Sequence, residues 1–320
     1  MLTAALLLAA VGALFVGGTT IGPNAIFGAL MHPHQGEIAT IVWQLRLSRI
    51  AIGATVGAAL AVAGALLQGL LRNPLADPYL TGVSAGAAVA IVLGFLAGIG
   101  IAAIPPLGFV AGLATTAIVA TLARRGSGID STRLILGGVS LSALFAAIIA
   151  LALTRAASAG AAQAIVGWLA GTLSGRGWNE LALALPYVAL GLALAFLSAP
   201  ALNALRLGDV RAGSVGVDVA RAQWTILAAT SLLAASAVTL SGTIGFVGLI
   251  IPHAARRIVG SDARYALLAS ALLGATLVIV ADAVARSAFA PAEIPLGVLL
   301  AFIGVPTFLY LYLHDRRATA

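Results

Sequence analysis

The sequence predicts an all-α, polytopic membrane protein with about ten transmembrane helices. Of its 320 residues, 61% are hydrophobic and only 8% are charged, whereas a soluble globular domain carries roughly 25% charged residues. Apolar runs long enough to cross a bilayer, which takes about 20 residues each, recur along the whole chain. Since no soluble domain interrupts these runs, residues 1–320 are expected to form a single transmembrane domain.

Charged residues, prolines and polar clusters between the apolar runs indicate where each span begins and ends. The expected spans lie near residues 2–21, 47–71, 80–98, 104–123, 134–153, 181–199, 222–241, 243–258, 265–284 and 294–313. The eighth span is short. The first is interpreted as a retained span, because the basic region of a secretory signal peptide is lacking. Glycine and alanine crowd residues 53–59 and 82–88, which predicts close packing between helices.

The distribution of arginine predicts the orientation in the membrane. An even number of spans places both termini on one side, and basic residues favour the cytoplasmic side. Segments on the terminal side hold Arg72, Arg124, Arg125, Arg133, Arg206, Arg211, Arg221, Arg256, Arg257, Arg264, Arg316 and Arg317. The opposite side holds Arg46, Arg49, Arg155, Arg176 and Arg286. Both termini are therefore predicted to be cytoplasmic.

The composition argues against several classes of function. All 17 basic side chains are arginines, so the chain cannot supply the lysine of a phosphate-binding Walker loop. Cysteine is absent, which excludes disulfides, thiolate metal sites and cysteine nucleophiles. The arginines are scattered between apolar runs rather than gathered into a stripe, and this argues against nucleic-acid binding.

Two polar segments interrupt the apolar pattern at the predicted cytoplasmic side. In residues 71–86, Pro74 and Pro78 stop the helix, and the polar groups left unpaired must face water or protein. Such a break can form a constriction at the cytoplasmic mouth of a translocation path. The alternative is that these residues form an ordinary loop. Residues 205–218 are too polar to span, and Gly208 and Gly216 favour short amphipathic helices between them. The alternative is a loop anchored at the lipid headgroups.

Charged residues at the predicted outer side form a third feature. Arg46 and Arg49 are three residues apart and share one helix face. The arginine fork suits bidentate recognition of carboxylates, while snorkelling to the interface is the alternative. Asp282 precedes Arg286 by four residues, which predicts an ion pair within one helix rather than a proton relay.

Many segments of the chain resemble the FecCD family of importer permeases, which includes cobalamin, siderophore and haem transporters. The matching blocks occur in family order and cover nearly the whole chain. They are RLSR (46–49), GALLQGLLRNPLADPYLTGVSAGA (64–87), STRLILGGVS (131–140), WLAGTLSG (168–175), 207–216, SGTIGFVGLIIPHAARRIVG (241–260), ADAVAR (281–286) and AEIPLGV (292–298).

The resemblance implies the permease fold of ATP-binding-cassette importers, in a bacterial or archaeal cytoplasmic membrane. It also implies a homodimer, two ATPase subunits and a periplasmic or lipid-anchored substrate-binding protein. The cytoplasmic gate would comprise Asn73, Leu75, Ser131 and Thr132, although the residues alone favour helix caps at Ser131 and Thr132. ATPase coupling, in a segment of about 201–220, would involve Leu207, Gly208, Asp209, Arg211, Val215 and Gly216. Arg46, Arg49 and Arg286 would dock the binding protein.

The expected function is ATP-driven import of a ferric siderophore, or of haem or cobalamin. The chain itself would perform no chemistry and bind no cofactor or metal, with ATP and magnesium on the partner ATPase. An ion-coupled secondary transporter of a small solute is the alternative, but it needs titratable residues at mid-membrane, and the spans offer few. An intramembrane enzyme would have His253 as the sole candidate base within a span.

Overall fold

The computed structural model describes residues 1–17, 19, 21–33, 36–126, 128–154, 159–290 and 292–314. Arg155, Arg316 and Arg317, which entered the orientation prediction, lie outside these residues. Within them the architecture is helical apart from one short antiparallel strand pair, β1 (Arg124–Arg125) and β2 (Gly128–Ile129). The all-α expectation is therefore confirmed.

The helices are numbered in chain order. They are α1 Leu2–Phe15, α2 Pro23–Met31, α3 Gly36–Thr40, α4 Ser48–Leu71, α5 Val83–Leu96, α6 Ile104–Leu122, α7 Ser131–Thr154, α8 Ala159–Leu169, α9 Trp178–Leu197, α10 Ala199–Arg206, α11 Asp209–Ser214, α12 Val219–Ser241, α13 Val247–Val259, α14 Ala263–Ser287 and α15 Leu296–His314. A π-helix, Ile41–Leu47, joins α3 to α4, and 3₁₀ helices cover Pro78–Thr81 and Ile101–Ala103.

Among the described residues, six helices are long and apolar enough to cross a membrane. They are Gly36–Leu71, Ile104–Leu122, Ser131–Thr154, Trp178–Leu197, Val219–Ser241 and Ala263–Ser287. Shorter apolar helices cover Leu2–Phe15, Val83–Leu96 and Leu296–Tyr310. With α13, these helices correspond one to one with the ten predicted spans.

Two predicted boundaries were wrong. The helix of the first span ends at Phe15, and the continuous helix of the second span begins at Gly36 rather than near residue 47. The prediction took Arg46 and Arg49 as a polar boundary. In the structure the Arg46 side chain is buried against backbone carbonyls, so the helix continues through this charge instead of ending there.

Helix α4 is the centre of the bundle. It packs against α14, α12 and α13, and its apolar residues belong to the main hydrophobic core. A helix that is hydrophobic on every side is expected to be enclosed by other helices. By contrast, α7 lies at the periphery and exposes large apolar side chains such as Leu136 and Leu151.

Glycines allow α4 to approach its neighbours at backbone distance. A Cβ added to Gly57 would lie 2.1 Å from the carbonyl oxygen of Gly274 on α14, and one added to Gly64 would lie 2.0 Å from that of Gly248 on α13. Lipid supplies no hydrophobic force between helices, so close van der Waals packing of this kind holds them together. The packing expected from the small residues is confirmed at these positions.

Helix α13 is a short helix whose N-terminal loop is fixed by one tyrosine. It has 13 residues, too few for a full crossing of about 20, as expected for the eighth span. The Tyr79 hydroxyl donates to the Ile244 carbonyl oxygen at 2.8 Å and accepts from the Ile244 amide at 2.9 Å. Irregular backbone inside a membrane protein requires such partners.

Replacing Gly57 with alanine tests the backbone contact between α4 and α14. We expect Gly57→Ala to lower the stability by about 1–3 kcal/mol, because the added methyl group must push the two helices apart. Thermal unfolding in detergent micelles measures this change. Gly12→Ala is the matched control, since a Cβ at Gly12 meets nothing within 4 Å. Equal melting temperatures for the two variants would contradict the packing argument.

Candidate functional site

At one end of the bundle, Arg49 is held by two carboxylates. Its Nε lies 2.9 and 3.0 Å from the two oxygens of Asp282, and its two Nη atoms lie 3.1 and 3.0 Å from the oxygens of Glu293. The Nε of Arg286 lies 3.0 Å from Asp282, which confirms the predicted ion pair within α14. Asp282, only 2% exposed, therefore joins α14 to α4.

Arg46 and Arg286 also bind the C-terminal end of α1. Arg46 donates to the carbonyl oxygens of Leu14 at 2.5 Å and Thr19 at 2.6 Å, and Arg286 donates to that of Ala13 at 3.3 Å. The last carbonyls of a helix lack intrahelical partners and carry partial negative charge, so cations are favourable there. The two arginines thereby attach α1 to the rest of the bundle.

The three arginines predicted to dock a binding protein line one cavity of about 490 Å³. Arg46 and Arg286 are 3% and 6% exposed, and the Arg49 side chain is 12% exposed. Glu293, at 40%, is the more accessible partner in this cluster. The structure thus brings the three arginines together, and their role in docking stays a prediction.

The first predicted gate segment follows the end of α4. Arg72 ends the helix in a left-handed conformation with φ of 51°, and the Asn73 amide donates to the Gln68 carbonyl oxygen at 3.1 Å. The Asn73 side-chain oxygen then accepts from the Leu75 amide at 2.9 Å. This turn leaves the Leu75 side chain 41% exposed.

The second predicted gate segment is the first turn of α7. Asp130 caps this helix, since its Oδ1 accepts from the Arg133 amide at 3.0 Å. That hydrogen bond is the largest of the effects that lower the pKa of Asp130. The interpretation of Ser131 and Thr132 as caps was therefore wrong: they are the first two helical residues. In the described part of the chain, no hydrogen bond joins them to Asn73 or Leu75.

The predicted coupling segment contains two short helices: α11 lies between Gly208 and Gly216, where short helices were expected, and α10 ends before Gly208. Gly208, with φ of 107°, separates them, and Gly216, with φ of 87°, follows α11. Leu207 and Val215 are 65% and 72% exposed. Val210, at 88%, was missed by the sequence analysis, although an apolar residue between Asp209 and Arg211 in a short amphipathic segment was a usable signal.

Helix α10 is attached to the loop before α14. The Asn203 amide nitrogen donates to Asp262 Oδ1 at 3.0 Å, and the Ala263 amide donates to Asn203 Oδ1 at 2.8 Å. The Asn203 bond is the main cause of the lowered pKa of Asp262. Arg206 also donates to the Ser261 carbonyl oxygen. The base of the segment is thus rigidly positioned while its apolar side chains face outward.

A body whose periphery is apolar, and whose described polar clusters lie at its two ends, is a multi-pass helical membrane protein of the permease class. Its family follows from comparison with known proteins. The model of the FecCD transport family matches residues 4–314, and the chain belongs to that family.

Two relatives and one solved structure show how far the similarity extends. The chain is 41% identical to the cobalamin import system permease protein BtuC of Halobacterium salinarum, covering 88% of this chain and 75% of that protein. It is 37% identical to the Fe(3+)-citrate import system permease protein YfmE of Bacillus subtilis, covering 94% and 90%. A metal-chelate type ABC transporter in an inward-facing conformation superposes with a TM-score of 0.87, at 32% identity, covering 98% of this chain and 97% of that one.

The family and the fold expected from the sequence are confirmed. The chain is the permease subunit of an ABC importer, not an enzyme, and ATP hydrolysis belongs to a separate subunit.

Neutralising Asp282 tests the ion cluster formed by Arg49, Arg286, Asp282 and Glu293. Asp282→Asn leaves two buried arginines without their shared carboxylate, so we expect a loss of about 3–5 kcal/mol in stability. The more exposed Glu293→Gln is the control and should change stability by less than about 1 kcal/mol. Thermal unfolding in detergent measures both, and a melting temperature of Asp282→Asn equal to that of Glu293→Gln would contradict the assignment.

Proposed function

We propose that this chain is the membrane-spanning subunit of a dimeric ABC importer that brings a ferric siderophore, haem or cobalamin into the cytoplasm. The observation that carries this proposal is the exposed apolar surface of Leu207, Val210 and Val215, at 65%, 88% and 72%. Several exposed apolar side chains close together in sequence on an otherwise polar segment are typical of a protein interface. The partner would be the ATPase. When the ATPase moves on binding ATP, this segment would receive the movement.

Ferric siderophore is the cargo that we favour. Both the Fe(3+)-citrate relative and the metal-chelate type structure are named for chelated metal, and the cobalamin relative is named for a bulky metal macrocycle. The cargo would arrive from a periplasmic or lipid-anchored binding protein. Acidic residues of that protein would bind Arg46, Arg49 and Arg286, where an incoming carboxylate competes with the accessible Glu293 for Arg49.

A second copy of the chain would complete the path. Helix α7 exposes most of its surface: in the most apolar 18-residue stretch of Ser131–Thr154, only 11% is buried within one copy. A partner copy facing α7 would bring Ser131 and Thr132 of both subunits to one constriction, with Asn73 and Leu75 forming a second. The whole of residues 1–320 would act as one permease domain. The chain itself would hold no cofactor, because ATP and magnesium would be bound by the ATPase.

Ion-coupled transport has less support from the structure. Such a mechanism needs an accessible titratable group within the membrane, whereas Asp282 is buried and ion-paired with both Arg49 and Arg286. Its environment is that of a structural carboxylate.

Reconstitution tests the proposal. Proteoliposomes that contain the chain, its ATPase and its binding protein should take up a ferric siderophore, haem or cobalamin only when ATP and binding protein are both present. Val210→Asp should abolish ATPase binding and uptake, since a charge would enter an apolar contact. Uptake driven by a proton gradient without the ATPase would refute the assignment.

The orientation is also a proposal: both termini and the coupling segment would be cytoplasmic. Since the chain has no cysteine, single cysteines give an unambiguous readout. We expect Ser174→Cys, near the outer cavity, to react with an impermeant maleimide in intact spheroplasts. Ser214→Cys, at the end of α11, should react only after permeabilisation. Both serines are exposed, and the reverse pattern would refute the orientation.

A further inference from the structure

One carboxylate on the coupling segment binds residues from two other helices. Asp209, the first residue of α11, has Oδ1 3.4 Å from Nη2 of Arg72, at the end of α4. Its Oδ2 accepts from Nε2 of Gln223 on α12 at 3.3 Å. The side chains of Asp209 and Arg72 are 44% and 43% exposed, so this junction lies at the surface of the bundle.

The Gln223 side chain extends the connection to the start of α7. Gln223 is 5% exposed, and its Oε1 accepts from the Ile129 amide at 2.8 Å. A Cβ at Gly128 would lie 2.9 Å from that oxygen, so a larger residue at this position would displace the Gln223 side chain. Ile129 is followed by the cap residue Asp130 and then by Ser131. A buried amide therefore joins Asp209 to the second gate segment.

The Arg72 side chain makes the corresponding connection to the first gate segment. Arg72 directly precedes Asn73, and a Cβ added to Gly208 would lie 3.4 Å from Arg72 Nη1. Since Gly208 also has a φ of 107°, the α10–α11 junction combines a sharp turn with room for the guanidinium. Both gate segments are thus connected to the same residue of the coupling segment.

We propose that Asp209 and Gln223 are positioning residues that transmit movement of the coupling segment to both gate segments. This inference rests on the proposed function, because it assumes that the ATPase moves α10 and α11. Arg72 and Gln223, from two different helices, meet at the single carboxylate of Asp209, so a displacement of α11 acts on the end of α4 and, through Gln223, on the start of α7 together. A half-exposed ion pair contributes little to folding stability. We therefore assign this pair to the transmission of movement from α11 to the gate segments rather than to stabilisation of the fold.

Asp209→Asn tests the inference in the reconstituted complex of permease, ATPase and binding protein. The variant removes the charge that holds Arg72 and keeps the shape of the side chain. We expect the ATP hydrolysed per cargo molecule imported to rise about tenfold, as for a lost coupling between two sites. The melting temperature should stay as in the wild type, because an exposed ion pair contributes little to stability. Arg221→Gln, which removes one exposed charge nearby on α12, is the control and should keep the wild-type ratio.

A spectroscopic readout separates the two connections. Nitroxide labels on Leu75→Cys or Ser131→Cys in this cysteine-free chain report the distance between the two copies with and without ATP. We expect Asp209→Asn to abolish the ATP-dependent change at Leu75, and Gln223→Leu to abolish the change at Ser131. A merely structural role would not produce this selectivity.

The outcomes distinguish the inference from the function on which it rests. If the wild-type complex shows no ATP-driven uptake, the proposed function is refuted and this inference with it. If the wild type transports and Asp209→Asn keeps both the normal ratio and the normal label distances, the inference alone is refuted.

Discussion

The structure depends on the contact between α4 and its neighbours at glycine positions. In lipid, helices associate through close packing and hydrogen bonds rather than through exclusion of water. The approach of Gly57 to Gly274, and of Gly64 to Gly248, lets three helices share one interface without intervening side chains. Because α4 carries Arg49 at one end and is followed by Arg72 at the other, the length of this helix sets the separation between the ion cluster of Arg49 and the predicted coupling segment.

Charges at the two ends of α4 have different environments. At the N-terminal end of α4, Arg49 is enclosed by Asp282 and Glu293, and Asp282 also holds Arg286. A buried network of this kind is expensive to break and fixes the helices that form it. At the other end, Arg72 meets Asp209 in a half-exposed pair that can separate at little expense. One end is therefore built to hold its geometry, and the other allows rearrangement.

The sequence predicted the spans well because apolar length is a local property. All ten were located, and so were the short helices around Gly208. The sequence analysis failed at the start of the second span. Nothing in the sequence near Arg46 reveals that the carbonyls of Leu14 and Thr19 accept hydrogen bonds from its guanidinium. The bond between Gln223 and Ile129 joins residues 94 positions apart, and no periodicity or motif in the sequence indicates such a pair.

Tyr79 restrains the segment that follows the predicted gate residues Asn73 and Leu75. Its hydroxyl occupies both hydrogen-bonding groups of Ile244, and Pro78 packs against Gly248 at the start of α13. The Tyr79 hydroxyl thereby attaches the segment after Asn73 to the loop before α13. It satisfies the amide and the carbonyl of Ile244, as backbone groups inside a membrane protein require. If Asn73 and Leu75 form a gate, as proposed, this attachment requires them to move together with α13 as one rigid body rather than as a fraying loop.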